Sequence, residues 1–258
     1  MSNRAVVSEG SSPCCGRSIS VLRPQGPRRR PRVLQCGCFV VLMLLPGCAA
    51  ETLFQSNFDP TPINQPPAHA QNVGTADVDG PAGSVMVVMA PVGASGKWVR
   101  ISRPNPQAPV AGLKGNLSAF RGDGKYTFST ILFMPSGSGL ATIQFEPLGQ
   151  SAGTLTNFLH IDFMQDNTLR IDDNDSTKFG SFSRDQAFIV QVTLTISASS
   201  ATAHIVLAGA TASGTADYTV IPAFLPMARQ FGAVREWMGF PWTGSFDATD
   251  IVVTHPTD

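Results

Sequence analysis

Cysteine is absent from the chain after residue 48. All five cysteines, Cys14, Cys15, Cys36, Cys38 and Cys48, precede the bulk of the 258 residues. The remainder therefore forms no disulfide and no thiolate metal site, and is held together by packing and strand pairing. Charge is also scarce, at 14% Asp, Glu, Lys and Arg, and positive charge is scarcest where the chain is longest. From Cys48 onward 11 Lys and Arg stand against 17 Asp and Glu, a balance of about −6. Phosphate binding needs a basic face, so a nucleic-acid partner is excluded. The four histidines, His69, His160, His204 and His255, are scattered and outline no metal centre. There is no G-x-S-x-G, no glycine-rich phosphate loop and no internal repeat, so no cofactor is expected.

The positive charge that exists is concentrated at the start. Seven of the 18 basic residues lie before residue 33, four of them in the cluster Arg28, Arg29, Arg30 and Arg32. Val33 to Leu45 follows, apolar apart from Gln35 and too short to span a bilayer, which takes roughly 20 residues. A basic region before a short apolar one is the layout of a secretory signal. It ends in Leu45-Pro46-Gly47-Cys48, which resembles the lipobox of bacterial lipoproteins, with Pro46 a departure from the usual box. That resemblance implies cleavage before Cys48, acylation of Cys48, and anchoring by several acyl chains where one chain holds only marginally. The expected location is the extracytoplasmic side of the cell envelope, with the membrane as partner. Ala49-Ala50, with no Asp after the Cys, points to the outer membrane if the organism has one. Residues 1–27 are polar and aperiodic for a signal, and a translation start nearer Val21 or Leu22 would give one of ordinary length.

Beyond Cys48 the composition is that of a β protein. Gly, Pro, Ser and Asp punctuate short runs rich in Val, Ile, Thr and Phe. In Phe188–Ile196, Phe188, Val190, Val192, Leu194 and Ile196 alternate with Gln191, Thr193 and Thr195, the pattern of a strand with one buried face. Eleven such stretches between Val85 and Thr254 predict one sandwich or barrel. Only Met227 to Gln230 suggests a helical turn. By composition alone, Ala49–Gly83, with Pro60, Pro62, Pro66, Pro67 and Pro81, reads as a tether.

The segments Gly124–Glu146, Phe158–Phe163, Phe188–Leu207 and Phe231–Thr254 together resemble a concanavalin A-like jelly roll of the lectin and glucanase class. The closing Phe246-Asp-Ala-Thr-Asp-Ile-Val-Val resembles the last strand of laminin-G-like domains. Leu53-Phe54-Gln55-Ser56-Asn57-Phe58-Asp59 resembles the first strand of such folds, which pairs near the last. The resemblance therefore overrides the tether. It implies an all-β, two-sheet antiparallel jelly-roll sandwich of about 11–12 strands over 52–258. Residues 1–47 would be the signal and 48–51 the acylated cysteine with a short tether.

Laminarinase-like glucanases of this class carry Glu-Ile-Asp-x-x-Glu on one strand. The matching residues here are His160-Ile161-Asp162-Phe163-Met164-Gln165, so the Ile and Asp are kept and both catalytic Glu positions are lost. Gln165 can neither protonate a leaving group nor act as a nucleophile, which excludes that mechanism. What remains is a polar strand face bearing His160 and Asp162. On Phe231–Phe240, Val234, Met238 and Phe240 suit the core, leaving Arg235 and Trp237 on the other face. If the two strands share a sheet, His160, Asp162, Arg235 and Trp237 line a groove, with Gln144 and Glu146 nearby. A Trp ring amid Asp, Arg and His suits a sugar, stacking on its apolar face and bonding its hydroxyls. The expected function is non-catalytic glycan binding. Two alternatives stay open: an interaction module without a small ligand, and a polysaccharide-acting enzyme using His160 with Arg235 or Tyr126. Asp172-Asp173-Asn174-Asp175 lacks the Gly and distal Glu of a calcium loop and is expected to be a hairpin turn.

Overall fold

The computed structural model describes residues 50–150 and 156–257. The expected signal segment and Cys48 lie outside the described residues. Fifteen strands are formed among those described. In chain order they are β1 (Ala50–Ser56), β2 (Thr75–Asp79), β3 (Val85–Met89), β4 (Lys97–Arg103) and β5 (Ala111–Asn116). Next come β6 (Gly124–Phe133), β7 (Ala141–Pro147), β8 (Leu159–Phe163), β9 (Leu169–Ile171) and β10 (Asn174–Phe179). The last five are β11 (Ala187–Ile196), β12 (Ala201–Gly209), β13 (Ala212–Thr219), β14 (Phe231–Met238) and β15 (Gly244–Pro256). A 3₁₀ turn (Pro222–Phe224) and a one-turn helix, α1 (Leu225–Ala228), are the only helical elements described. No described helix is long and apolar enough to cross a membrane.

The strands form two antiparallel sheets. One runs β13-β12-β11-β6-β15-β4-β3, with β1 also on β15; the other runs β10-β9-β8-β7-β14-β5-β2. The chain passes repeatedly between sheets, so neighbours such as β6 and β15, or β7 and β14, are far apart in sequence. This is the jelly-roll sandwich the resemblance implied. The thirteen-residue β15 holds it together. Its first half pairs with β4 and its second half with β1, while β6 runs along its other side.

Alternation puts one face of each strand into the core. Phe188, Val190, Val192, Leu194 and Ile196 of β11 are buried, as the sequence pattern predicts. Aromatic rings join the sheets across this core: Tyr126 and Phe231 meet edge-on at 5.1 Å and Phe128 and Phe145 at 5.5 Å, while Phe158 packs edge-on against Phe231 at 5.8 Å on the seven-stranded side. Tyr126 is thus a core residue, its hydroxyl donating to the Gly122 carbonyl and its pKa pushed up to about 12 by burial. It faces the sheet interior, which removes it from any catalytic set with His160.

The compositional tether is folded. β1 and β2 lie within it, and Asn64 and Gln65 exchange backbone hydrogen bonds with Val87, covering the outer edge of β3. β5, Ala-Gly-Leu-Lys-Gly-Asn, carries glycines because its neighbours press close: a Cβ at Gly112 would collide with Trp237, and one at Gly115 with the Phe54 ring.

Candidate functional site

The outward face of the seven-stranded sheet assembles the site. β7 lies between β8 and β14, so the expected groove residues fall on two neighbouring rows. Gln144 stands between His160 and Arg235, and Thr142 between Asp162 and Trp237. The rows continue to Arg170 of β9 on one side and to Lys114 and Gly112 of β5 on the other. Beyond β5, Asp77 and Asp79 of β2 close the face.

The face divides into two parts. Around Arg235 it is a closed ionic network. Arg235 donates to Glu146 through Nε (2.5 Å) and Nη2 (3.3 Å), and to Asp79 through Nη1. Lys114 Nζ lies 3.2 Å from Glu146 and donates to the Gln150 carbonyl at 2.5 Å. All four side chains are buried. Two cations match two carboxylates, which is the condition for such charges to be tolerated away from water. Arg235 therefore shares the expected face but does not line the groove; its guanidinium is committed to Glu146 and Asp79.

Beside this network the face opens into a cleft of about 190 Å³, whose lining includes Thr142, Gln144, His160, Asp162, Trp237 and Trp242. Asp162 accepts from the Thr142 hydroxyl at 2.7 Å and from Arg170 Nε at 2.9 Å. Burial raises its pKa, and the Thr142, His160 and Arg170 contacts oppose that rise. The acidic run is the expected hairpin turn, with Asp172 and Asp173 both at positive φ. Asp172 Oδ1 accepts from the His160 backbone N–H at 2.8 Å, and Asp173 takes Arg170 Nη2 at 2.6 Å.

Two residues that line the cleft each carry a buried atom with no hydrogen-bond partner, Gln144 Oε1 and Trp237 Nε1. Gln144 is only 3% exposed. Buried polar groups are normally satisfied, so an acceptor and a donor left open on adjacent rows call for a partner. The aromatic rim comes from the turn after β14. Phe240, expected in the core, is 75% exposed because the strand stops at Met238 and the chain turns away. Buried Arg103 secures this turn, donating to the Trp242 carbonyl at 2.6 Å and to the carbonyls of Pro106 and Ala108. Gly239 is required here, since a Cβ would run into the Trp237 ring.

His160, Asp162 and Asp173 also place ligand atoms within 4.8 Å of one another. Arg170 bonds both carboxylates, supplying the positive charge a metal ion would bring. The arrangement does not fit a divalent cation. Asp247, on the closing strand β15, is fully buried and held by Arg100 through two bonds of 2.7 and 2.8 Å.

The sequence reading reached His160, Asp162, Trp237 and Gln144 but missed Thr142, Arg170 and the exposed Phe240. Arg170 could have been found from its place on a short strand just before the acidic turn. Phe240-Pro241-Trp242 could have been found as an aromatic turn after a strand.

No protein-family model matches the chain, and no curated protein does. Among solved structures it is similar to lectin I of Ulex europaeus in complex with a methyl fucoside, at 10% identity over 80% of this chain and 97% of that one, TM-score 0.46. It is similar to the lectin UEA-II complexed with galactose, at 10% identity over 81% and 99%, TM-score 0.44. It is also similar to the VIP36 exoplasmic domain bound to Ca²⁺ and Man3GlcNAc, at 11% identity over 71% and 84%, TM-score 0.44.

Proposed function

We propose that this chain is an exported β-sandwich, anchored through acyl chains on Cys48, that binds a neutral glycan in the cleft between Trp237 and His160. The observation that carries the reading is that Trp237 and Gln144, each with a buried polar atom left without a partner (Nε1 and Oε1), line the same cleft as Asp162. A sugar hydroxyl both donates and accepts, so neighbouring hydroxyls satisfy an indole N–H, an amide oxygen and a carboxylate together. Trp237, Trp242 and Phe240 supply apolar surface for the ring face. The ligand is neutral because the fixed charges lining the cleft are Asp162, Asp173 and one cation, Arg170, already committed to both. An anionic sugar would meet carboxylates without a free cation to match it.

A glycan array with product analysis on the mature chain tests this. Binding of neutral glycans without product, lost in Trp237→Ala, supports it. No binding, or binding only of sulfated or uronic-acid glycans, contradicts it. One observation favours a second reading, a retaining hydrolase: the carboxylates of Asp162 and Asp173 approach within 4.8 Å, near the spacing such chemistry uses. Product formation lost in Asp162→Asn would select that reading. Export and anchoring have their own test, the mass of the mature amino terminus, where diacylglycerol and a further acyl group on Cys48 are expected.

A further inference from the structure

We infer that the end of the sandwich bearing Ala50 rests on the lipid surface, with Phe120, Leu148, Ile221 and Phe224 seated among the lipid headgroups and upper acyl chains. The inference rests on the anchoring of Cys48 and goes beyond it: anchoring alone would let the domain hang free.

The length of chain forces the approach. β1 starts at Ala50, so only Ala49 separates the acylated residue from a strand hydrogen-bonded into the eight-stranded sheet. Two residues fully extended reach about 7 Å. Whatever face of the sandwich surrounds Ala50 must then sit at the bilayer. Register identifies that face. Ala50 opposes Pro256, Gly124 opposes Ile196, and Ile196 opposes Ala201, so these strand ends lie together. Val220 donates to Ala201, which brings the Ile221–Gln230 segment to the same end. Arg121 bonds Glu51 and Arg229 bonds Asp123, which adds the Phe120–Asp123 loop, and Leu148 donates to Gln230.

Four large apolar side chains at this end are exposed by between 36% and 53%: Phe120, Leu148, Ile221 and Phe224. Phe120 and Pro226 border one shallow open hollow between the loop and α1. The two arginines here are each matched by a carboxylate, so Lys125 is the remaining exposed cation of the neighbourhood. Such an end suits lipid through apolar contact and has no need of anionic headgroups. The geometry also serves the cleft. β14 starts beside Gln230 at the apolar end and runs toward Trp237, and the six residue steps from Phe231 to Trp237, at about 3.3 Å each, carry the cleft some 20 Å away from the lipid.

The test uses the mature, acylated chain in phosphatidylcholine vesicles containing brominated lipid, a short-range quencher of indole emission. The native tryptophans, Trp98, Trp237 and Trp242, lie away from this end and should keep their emission. Phe224→Trp and Leu148→Trp, both at exposed positions, should each add emission that the brominated lipid removes. Unquenched introduced tryptophans in protein whose acyl mass is confirmed would overturn the inference and leave the anchor standing. A chain lacking the acyl mass and remaining in the aqueous phase would overturn both.

Discussion

The two sheets present outward faces that look alike in sequence and differ in substance. On the eight-stranded sheet, Thr202, His204, Thr215, Asp217 and Thr219 point outward and are exposed, and His204 meets Asp217 at 2.7 Å in open solvent. On the seven-stranded sheet, the equivalent positions hold Lys114, Gln144, Glu146, Asp162 and Arg235, and all are buried. Polar alternation marks which face avoids the core. It does not distinguish a wet face from one where side chains bury each other. On the second face the polar groups are matched into a network, and the few that are not matched border the cleft.

Breaking the network should have the largest effect. Arg235→Met leaves Glu146 with Lys114 alone and removes the guanidinium from Asp79. Removing one partner of a buried ion pair costs about 3–5 kcal/mol. Urea unfolding should show a much lower midpoint at an unchanged slope. Glu236 sharpens the comparison from the other side of the same strand. It points into the core, where neither carboxyl oxygen makes a well-formed hydrogen bond; the nearby Thr130 hydroxyl donates to the Thr249 carbonyl at 3.3 Å and only weakly opposes the effect of burial. Burial pushes its pKa from 4.5 to about 7. The fold favours the neutral acid, so stability falls as pH rises through 4.5 and the loss is complete above about 7. Glu236→Leu should remove that fall, a gain on the order of 3 kcal/mol at pH 8 and little at pH 4, read from unfolding midpoints across pH.

Trp237→Phe keeps one aromatic ring in the cleft and deletes the indole N–H together with the fused five-membered ring. Glycan affinity should drop by about 1 kcal/mol or more, while stability changes little, because the lost ring contacts are offset by removal of a buried orphan donor. The smallest effect belongs to the wet face. His204→Ala removes an exposed pair and should change stability by less than about 0.5 kcal/mol and leave glycan binding unchanged.

The fold was largely legible because alternation over long strands such as β11 is a strong signal. β2 and β5 escaped it for physical reasons. β5 needs Gly112 and Gly115 to admit Trp237 and Phe54, and glycine reads as a turn. β2 follows a Pro-rich stretch that covers a sheet edge instead of swinging free. His160, Asp162 and Trp237 were legible because alternation assigns faces. Arg235 was placed on the correct face, but its commitment to Glu146 and Asp79 depends on strands 89 and 156 residues away in sequence. The inward Glu236 breaks the apolar pattern between Val234 and Met238, and no local rule predicts a carboxyl there. Phe240 was misassigned because the end of β14 is set by the turn that Arg103 pins, again a distant partner.

The central claim is that the cleft, and not the exposed face, takes the ligand. Three tryptophans give three indole N–H resonances, and that of Trp98 is already bonded to the Ser95 carbonyl at 3.0 Å. Titration with a neutral glycan selected on the array, followed by NMR, should move the Trp237 indole N–H resonance most, with the backbone of β7 and β8 shifting beside it. A Trp237 resonance that stays in place while signals of β11 to β13 move would contradict the account.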